Sequence, residues 1–264
     1  MTVSGSGDYG TGRWFGDEIP VEQQRLQIQE RVLDPETTRV LEQLDVQSSW
    51  RCLELGAGAG SIARWLARRC PDGTVVAADI DPAYLDPSWA PNLEIRHLDV
   101  TKDDVPAGSF DLVHVRYLMV YLADREAILA RVAGWLAPGG WLVVEEPHAF
   151  THDSSPYPAF RRLSQALEQR LTAAGADLRW ARRLPGVLAG AGLASVGMSC
   201  SMWYAGDRGS GDELLRFSLP RLRPALVGQG LLSDTEFDAA LALFGDPGFV
   251  DMATATITAW GQRS

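Results

Sequence analysis

A chain of 264 residues, 46% of them hydrophobic and 22% charged, holds enough apolar material for one large domain with a packed core. A mean hydropathy of -0.08 is that of an ordinary globular protein, and a formal net charge of -10 opposes nucleic-acid binding by phosphate neutralisation. The central stretch FDLVHVRYLMVYL is interrupted by His114 and Arg116 and is too short to span a bilayer.

The first twenty residues are Gly- and Ser-rich, with Tyr9, Trp14 and Phe15 as their aromatic content, and lack the basic-then-apolar order of a signal peptide. PVEQQRLQIQERVLDPETTRVLEQL then carries apolar residues at helical spacing, and Asp34-Pro35 predicts a helix break and restart. From residue 50 the texture alternates. WRCLEL reads as a strand, SIARWLARRC as a helix, and GTVVAADI, NLEIRHLDV and SFDLVHVR as three further strands. DREAILARVAGWL is an amphipathic helix ended by APGG, and WLVVEEP is a fifth strand. Such alternation predicts a mostly parallel sheet with helices on both faces. Beyond residue 156 come two helices, PAFRRLSQALEQRLTAAG and WARRLPGVLAGAG, and the strand LASVGMSCSMWYA. After GDRGSGDE a helical segment runs to residue 244, and VDMATATITAWGQR closes the chain as an alternating strand. Two late strands around a helical excursion predict an antiparallel pair at one edge.

Cys52, Cys70 and Cys200 have no CxxC spacing, and the four histidines form no HxH or HExxH pattern. No metal site and no disulfide are expected, and a reducing cytoplasm is the expected compartment.

The chemistry lies in RCLELGAGAGSIARWL, where Gly56, Gly58 and Gly60 sit between a strand and a helix. A turn of this kind opens the backbone to a ligand at the carboxyl end of the sheet. The dinucleotide fingerprint asks for glycine at position 61, where this chain has Ser. Glu54, two residues before the first glycine, would repel a pyrophosphate and suits a cationic ligand, which argues against NAD.

Glu54, Gly56, Gly58 and Gly60 together resemble the first motif, [E/D]xGxGxG, of class I S-adenosylmethionine-dependent methyltransferases. AADIDP, HLDV, SFDLVHVRYLMVYLAD and LAPGG follow in that family's order. The resemblance covers residues 50–150. It implies an α/β fold: a Rossmann-like, doubly wound, mostly parallel seven-stranded sheet with an antiparallel edge strand. It also implies S-adenosyl-L-methionine as cofactor and S-adenosyl-L-homocysteine as product. Glu54, Gly56, Ala57, Gly58 and Gly60 are then expected at the cofactor. Asp79, with Ile80, is expected at its ribose, and Asp99 at the adenine amino group with Val100 against the ring. Arg116 falls near the meeting of cofactor and acceptor, or else pairs with Asp124 or Glu145. Asp81 is expected to cap the following helix.

EQQRLQIQERVLDP, GLLSDTEFDAAL and TAWGQR are similar to a branch of bacterial small-molecule methyltransferases. That similarity implies an N-terminal helical lid over residues 1–45, with Tyr9 and Gln29 toward the cofactor. The methyltransferase domain would then span 46–264, with a substrate-capping insert at about 211–247; plain packing against the sheet is the alternative for both segments. The expected partner is a small-molecule acceptor, methylated at O, N or C, with no nucleic acid or membrane, in a monomer or homodimer.

Methyl transfer needs a placed nucleophile and, for some acceptors, a base. His148 and His152, just past the fifth strand, are the candidate bases; His114, inside the fourth, is expected to pack beside the cofactor or in the sheet. Positioning without a base is also open. Glu145 and Glu146 could orient the acceptor, or one of them could instead bond to a neighbouring loop; Trp14, Phe15, Phe150 and Trp203 could wall it, together with Tyr157 and Tyr204. The same motifs would also serve a protein that binds S-adenosylmethionine without methylating, as a cyclase, isomerase or regulator.

Overall fold

The computed structural model describes residues 19–264, so Tyr9, Trp14 and Phe15 lie outside the described residues. The chain begins with α1 (Ile19–Gln43) and then alternates β1 (Arg51–Leu55), α2 (Ser61–Arg69), β2 (Thr74–Asp79), β3 (Leu93–His97) and β4 (Phe110–Arg116). It continues through α3 (Arg125–Trp135), β5 (Leu136–His148), α4 (Pro158–Ala173), α5 (Leu184–Gly190) and β6 (Leu193–Ala205). The last elements are α6 (Ser210–Gly228), α7 (Asp234–Leu243) and β7 (Asp251–Arg263).

Seven strands form one sheet in the order β3-β2-β1-β4-β5-β7-β6. The first five are parallel to one another, while β7 runs antiparallel to both β5 and β6. This is the doubly wound, mostly parallel sheet the alternation predicts, with the expected antiparallel pair at one edge. β1 and β2 are buried along nearly their whole length because helices cover both faces of the sheet. One face packs Leu53, Val113, Leu129 and Leu184; the other packs Leu41, Cys52, Leu66 and Val143. A third cluster, with Phe160, Leu219, Phe237 and Phe249, joins α4, α6 and α7 beyond the sheet's end.

The structure corrects two local expectations. Asp34-Pro35 does not break α1, which runs unbroken with Pro35 inside. Proline removes one helical donor, but tertiary anchors hold this turn. Asp34 accepts from Arg116 and Ser61, and Val40 and Leu41 are fully buried one to two turns on. The second concerns APGG, which does not precede β5 but belongs to it. The pairing with β4 shifts register between Phe110 and Leu112 to take up those residues. The two cysteines distant in sequence, Cys52 and Cys70, meet in the core with their sulfurs 3.7 Å apart. No helix among the described residues is long and apolar enough to cross a membrane.

Candidate active site

At the carboxyl ends of β1, β2 and β4 the sheet opens into a cavity of about 370 Å³. The turn after β1 forms one end of it. Gly56 and Ala57 donate their backbone N–H groups to the Ala78 carbonyl, at 2.8 and 3.0 Å, which fixes the turn to β2. Gly58 has a φ of +54° and lies against the cavity, where a side chain would add strain and fill the opening. Gly60 serves a different purpose from the one expected. It does not line the cavity; a Cβ there would fall 2.6 Å from Trp89 and 2.8 Å from Leu85, so it lets these side chains pack at the start of α2.

Glu54 lies below the turn, 3% exposed, and its Oε2 has no hydrogen-bond partner among the described residues. Burial pushes its carboxyl up to about 8, against the pull of nearby Arg116. Its Oε1 is 3.9 Å from His114 Nδ1, while His114 Nε2 is 2.8 Å from Glu145 Oε1. Thr37 of α1 and Thr258 of β7 donate to the other oxygen of Glu145, at 3.1 and 3.3 Å. Of its two expected places, His114 therefore takes the sheet interior.

Asp79 ends β2 at the cavity and accepts from Gly58 N–H and Asp81 N–H, both at 2.9 Å. Burial raises its carboxyl above the usual range. Asp81 caps the short turn Pro82–Tyr84, the role predicted for it, by accepting from Ala83 N–H at 3.3 Å. Ile80, Asp99 and Val100 line the same end, and Asp99 also accepts from Thr101 and Lys102. Arg116 lines the cavity too, but neither Asp124 nor Glu145 is its hydrogen-bonded partner. It donates to Asp34 and Thr37 of α1, both at 2.9 Å. α1 covers this end with Glu22, Leu26, Gln29 and Glu30, and Gln29 accepts from Arg25 at 2.8 Å.

At the end of β5 the expectations for His148 and Phe150 are corrected, and Glu146 takes the alternative left open for it, a bond to a neighbouring loop. Side chains alternate across a strand, and Pro147 faces the cavity, so its neighbours Glu146 and His148 face the other way. Glu146 does not meet a ligand. It accepts from the N–H groups of Leu118, Met119 and Val120, at 3.2, 2.7 and 3.1 Å, and so holds the loop leaving β4. His148 lies 3% exposed with its ring 3.9 Å from that of Phe150, and burial lowers its pKa. Phe150 is 41% exposed and does not line the cavity either.

The far end of the cavity is a different surface. Phe160, Ser164, Leu167 and Leu171 line it from α4 at spacings of four, three and four residues, which is one helical face. Leu215, Ser218, Leu219 and Leu222 face them from α6. Trp203, His152 and Tyr121 complete the wall. His152 is buried, and its Nδ1 is 3.2 Å from Glu168 Oε2. Of this wall, His152, Trp203 and the α6 stretch within the 211–247 insert are expected from the sequence, whereas the α4 face is not; its signal is the 160–164–167–171 spacing.

A strand–glycine turn–helix above a carboxyl with one unpartnered oxygen, opening into an apolar chamber, stands where open α/β sheets take ligands. Residues 24–188 match the family described as Methyltransferase domain, and the chain belongs to that family. Methyltransferase str3 of Strobilurus tenacellus is 31% identical over 174 residues, which is 63% of this chain and 61% of that protein. A trans-aconitate 2-methyltransferase of Deinococcus radiodurans is 35% identical over 105 residues, 39% of this chain and 40% of the other. The match thus spans about three fifths, or less, of these relatives' length. Among solved structures, the YcgJ protein from Bacillus subtilis shares the fold with a TM-score of 0.58 at 15% identity. That alignment covers 86% of this chain and 97% of the other.

Proposed function

We propose that this protein binds S-adenosyl-L-methionine at the glycine-turn end of the cavity and transfers its methyl group to a small molecule at the apolar end. The observation that carries this reading is Glu54 Oε2, a buried acidic atom with no hydrogen-bond partner among the described residues, beneath the turn of a methyltransferase-family chain. A buried carboxyl oxygen left without a partner is costly and suits a cationic ligand group. When bound, the cofactor supplies a methyl group activated by a positively charged sulfur.

The residues present fit it. Glu54 would hold the ammonium group. Asp79 would take the ribose hydroxyls, since each of its oxygens accepts one N–H in this structure and has a further acceptor site. Ile80 and Val100 offer apolar contact to a flat ring, with Asp99 beside them. α1 and α6 both line the chamber and limit water, so residues 19–45 and about 211–247 are read as lid and cap. Gly60 and Glu146 support the site from outside it. Calorimetry tests the reading. S-adenosylmethionine and S-adenosylhomocysteine should both bind, and NAD should not compete; no heat with either sulfur compound, or displacement by NAD, would sink it.

A further inference from the structure

We infer that His152 is the base of the transfer, that Glu168 is its positioning residue, and that the acceptor is an uncharged apolar molecule presenting a hydroxyl. This rests on the methyl-transfer reading above and adds the acceptor class to it.

The geometry begins with Glu168. It stands on α4, one residue past Leu167 of the cavity face, and Arg179 from beyond the helix grips both its oxygens, at 2.6 and 3.1 Å. Arg179 also donates to Asp153, next to His152, at 2.7 Å. Against the upward push of burial, the bond with His152 and then the Arg179 grip hold the Glu168 carboxyl down at about 2, so it is an ionised acceptor. A carboxylate can only accept, so His152 Nδ1 must carry the proton in this pair. In the neutral ring Nε2 is then a bare acceptor. No other described residue hydrogen-bonds to Nε2, and His152 lines the cavity among Phe160, Leu171 and Tyr121.

The chamber around it selects the acceptor. Among the described cavity-lining residues the cations are Arg25 and Arg116, and both belong to the α1 side, paired with Glu22 and Asp34. Nothing on the α4 and α6 wall neutralises an anion, so a polycarboxylate has no counter-charge there. No carboxylate lines that wall to hold an ammonium either. A neutral amine already has a free lone pair and needs no base. An uncharged hydroxyl does, because its oxygen becomes strongly nucleophilic only as the proton leaves. The O–H bond breaks, its proton goes to Nε2 and its electron pair stays on oxygen for the new bond to carbon. Sulfur keeps the pair of the broken C–S bond. One positive charge is lost at sulfur and one appears on the imidazolium, which releases its proton to solvent after product leaves.

The test uses the full chain, with and without S-adenosylhomocysteine, and two probes of nearly equal shape, 2-naphthol and 2-methoxynaphthalene. Naphthol should bind about three- to tenfold more tightly, the worth of one hydrogen bond to a buried acceptor. His152→Phe should abolish that preference while still binding the methoxy probe. Nitrogen-15 NMR of the neutral wild-type ring should show Nδ1 protonated and Nε2 bare. Glu168→Gln should shift the proton toward Nε2, and Glu168→Asp should restore part of the wild-type pattern. A wild-type ring protonated on Nε2, or a naphthol preference that is absent or survives His152→Phe, would overturn the inference. Because the NMR signature and the probe comparison are also read without S-adenosylhomocysteine, a failure of that compound to bind counts against the methyl-transfer reading alone.

Discussion

At the glycine end the cavity wall carries exposed backbone, carboxylates and Arg116 among apolar residues; at the α4–α6 end it is mostly leucine and aromatic side chains, with Ser164, Ser218 and one histidine. The first is assembled mainly by β1, β2 and the turns that follow them, and its polar atoms are held by short hydrogen bonds between neighbouring strands. The second is built by helices that pack on one another through the third apolar cluster. A fixed polar end suits one invariant ligand, whereas an apolar end made of helix faces can be reshaped without disturbing the sheet. The contrast leads to distinct expectations for each end.

The largest effect is expected where the sheet holds the β4 loop. Glu146→Ala leaves three N–H groups, two buried and one half-buried, without their acceptor and should cost about 3 kcal/mol of stability. Denaturant unfolding measures this, and hydrogen exchange at residues 117–121 should quicken in the same variant. Unchanged stability would mean that water replaces the carboxylate there.

Next is Asp79→Ala, which should weaken S-adenosylhomocysteine binding by about 1–3 kcal/mol while the apolar end still takes 2-methoxynaphthalene normally. Loss of both ligands would show that the two ends do not act independently. The converse variant is Ser218→Phe, which fills the apolar end from α6. It should reduce binding of the naphthalene probes by about tenfold or more and leave S-adenosylhomocysteine binding unchanged. A parallel loss of cofactor binding would erase the distinction between the ends. The smallest effect should come from Arg31→Ala. Its 2.7 Å pair with Glu213 links α1 to α6, but both side chains are about half exposed, so the change should be below about 0.5 kcal/mol in a melting experiment.

The two ends also differed in how far the sequence revealed them. The glycine end was legible because strand, turn and helix are consecutive, and Glu54, Gly58 and Asp79 fall within 26 residues. The apolar end joins residues 152, 164, 203 and 219, whose proximity depends on how α4 and α6 dock, and no local pattern encodes that docking. Strand parity was a second blind spot. VVEEPH is buried on both faces, so its composition does not say which of Glu146, Pro147 and His148 faces the ligand. The pairing of Arg116 with Asp34 bridges 82 residues and was equally hidden; with Ser61 it also explains why Pro35 does not end α1.

Glu54 gives the most direct measurement. Its carboxyl, at about 8 in the open cavity, is mostly protonated at pH 7. Pairing with an ammonium group requires the carboxylate, so binding must expel that proton. Calorimetric titration of S-adenosylhomocysteine at pH 7, in two buffers of different ionisation enthalpy, should show release of nearly one proton. Affinity should rise about tenfold per pH unit below pH 8 and level off above it. Glu54→Gln should bind weakly and without proton exchange. Binding that is tight, independent of pH and unaffected by Glu54→Gln would contradict the assignment of this end of the cavity to the cofactor's cationic group.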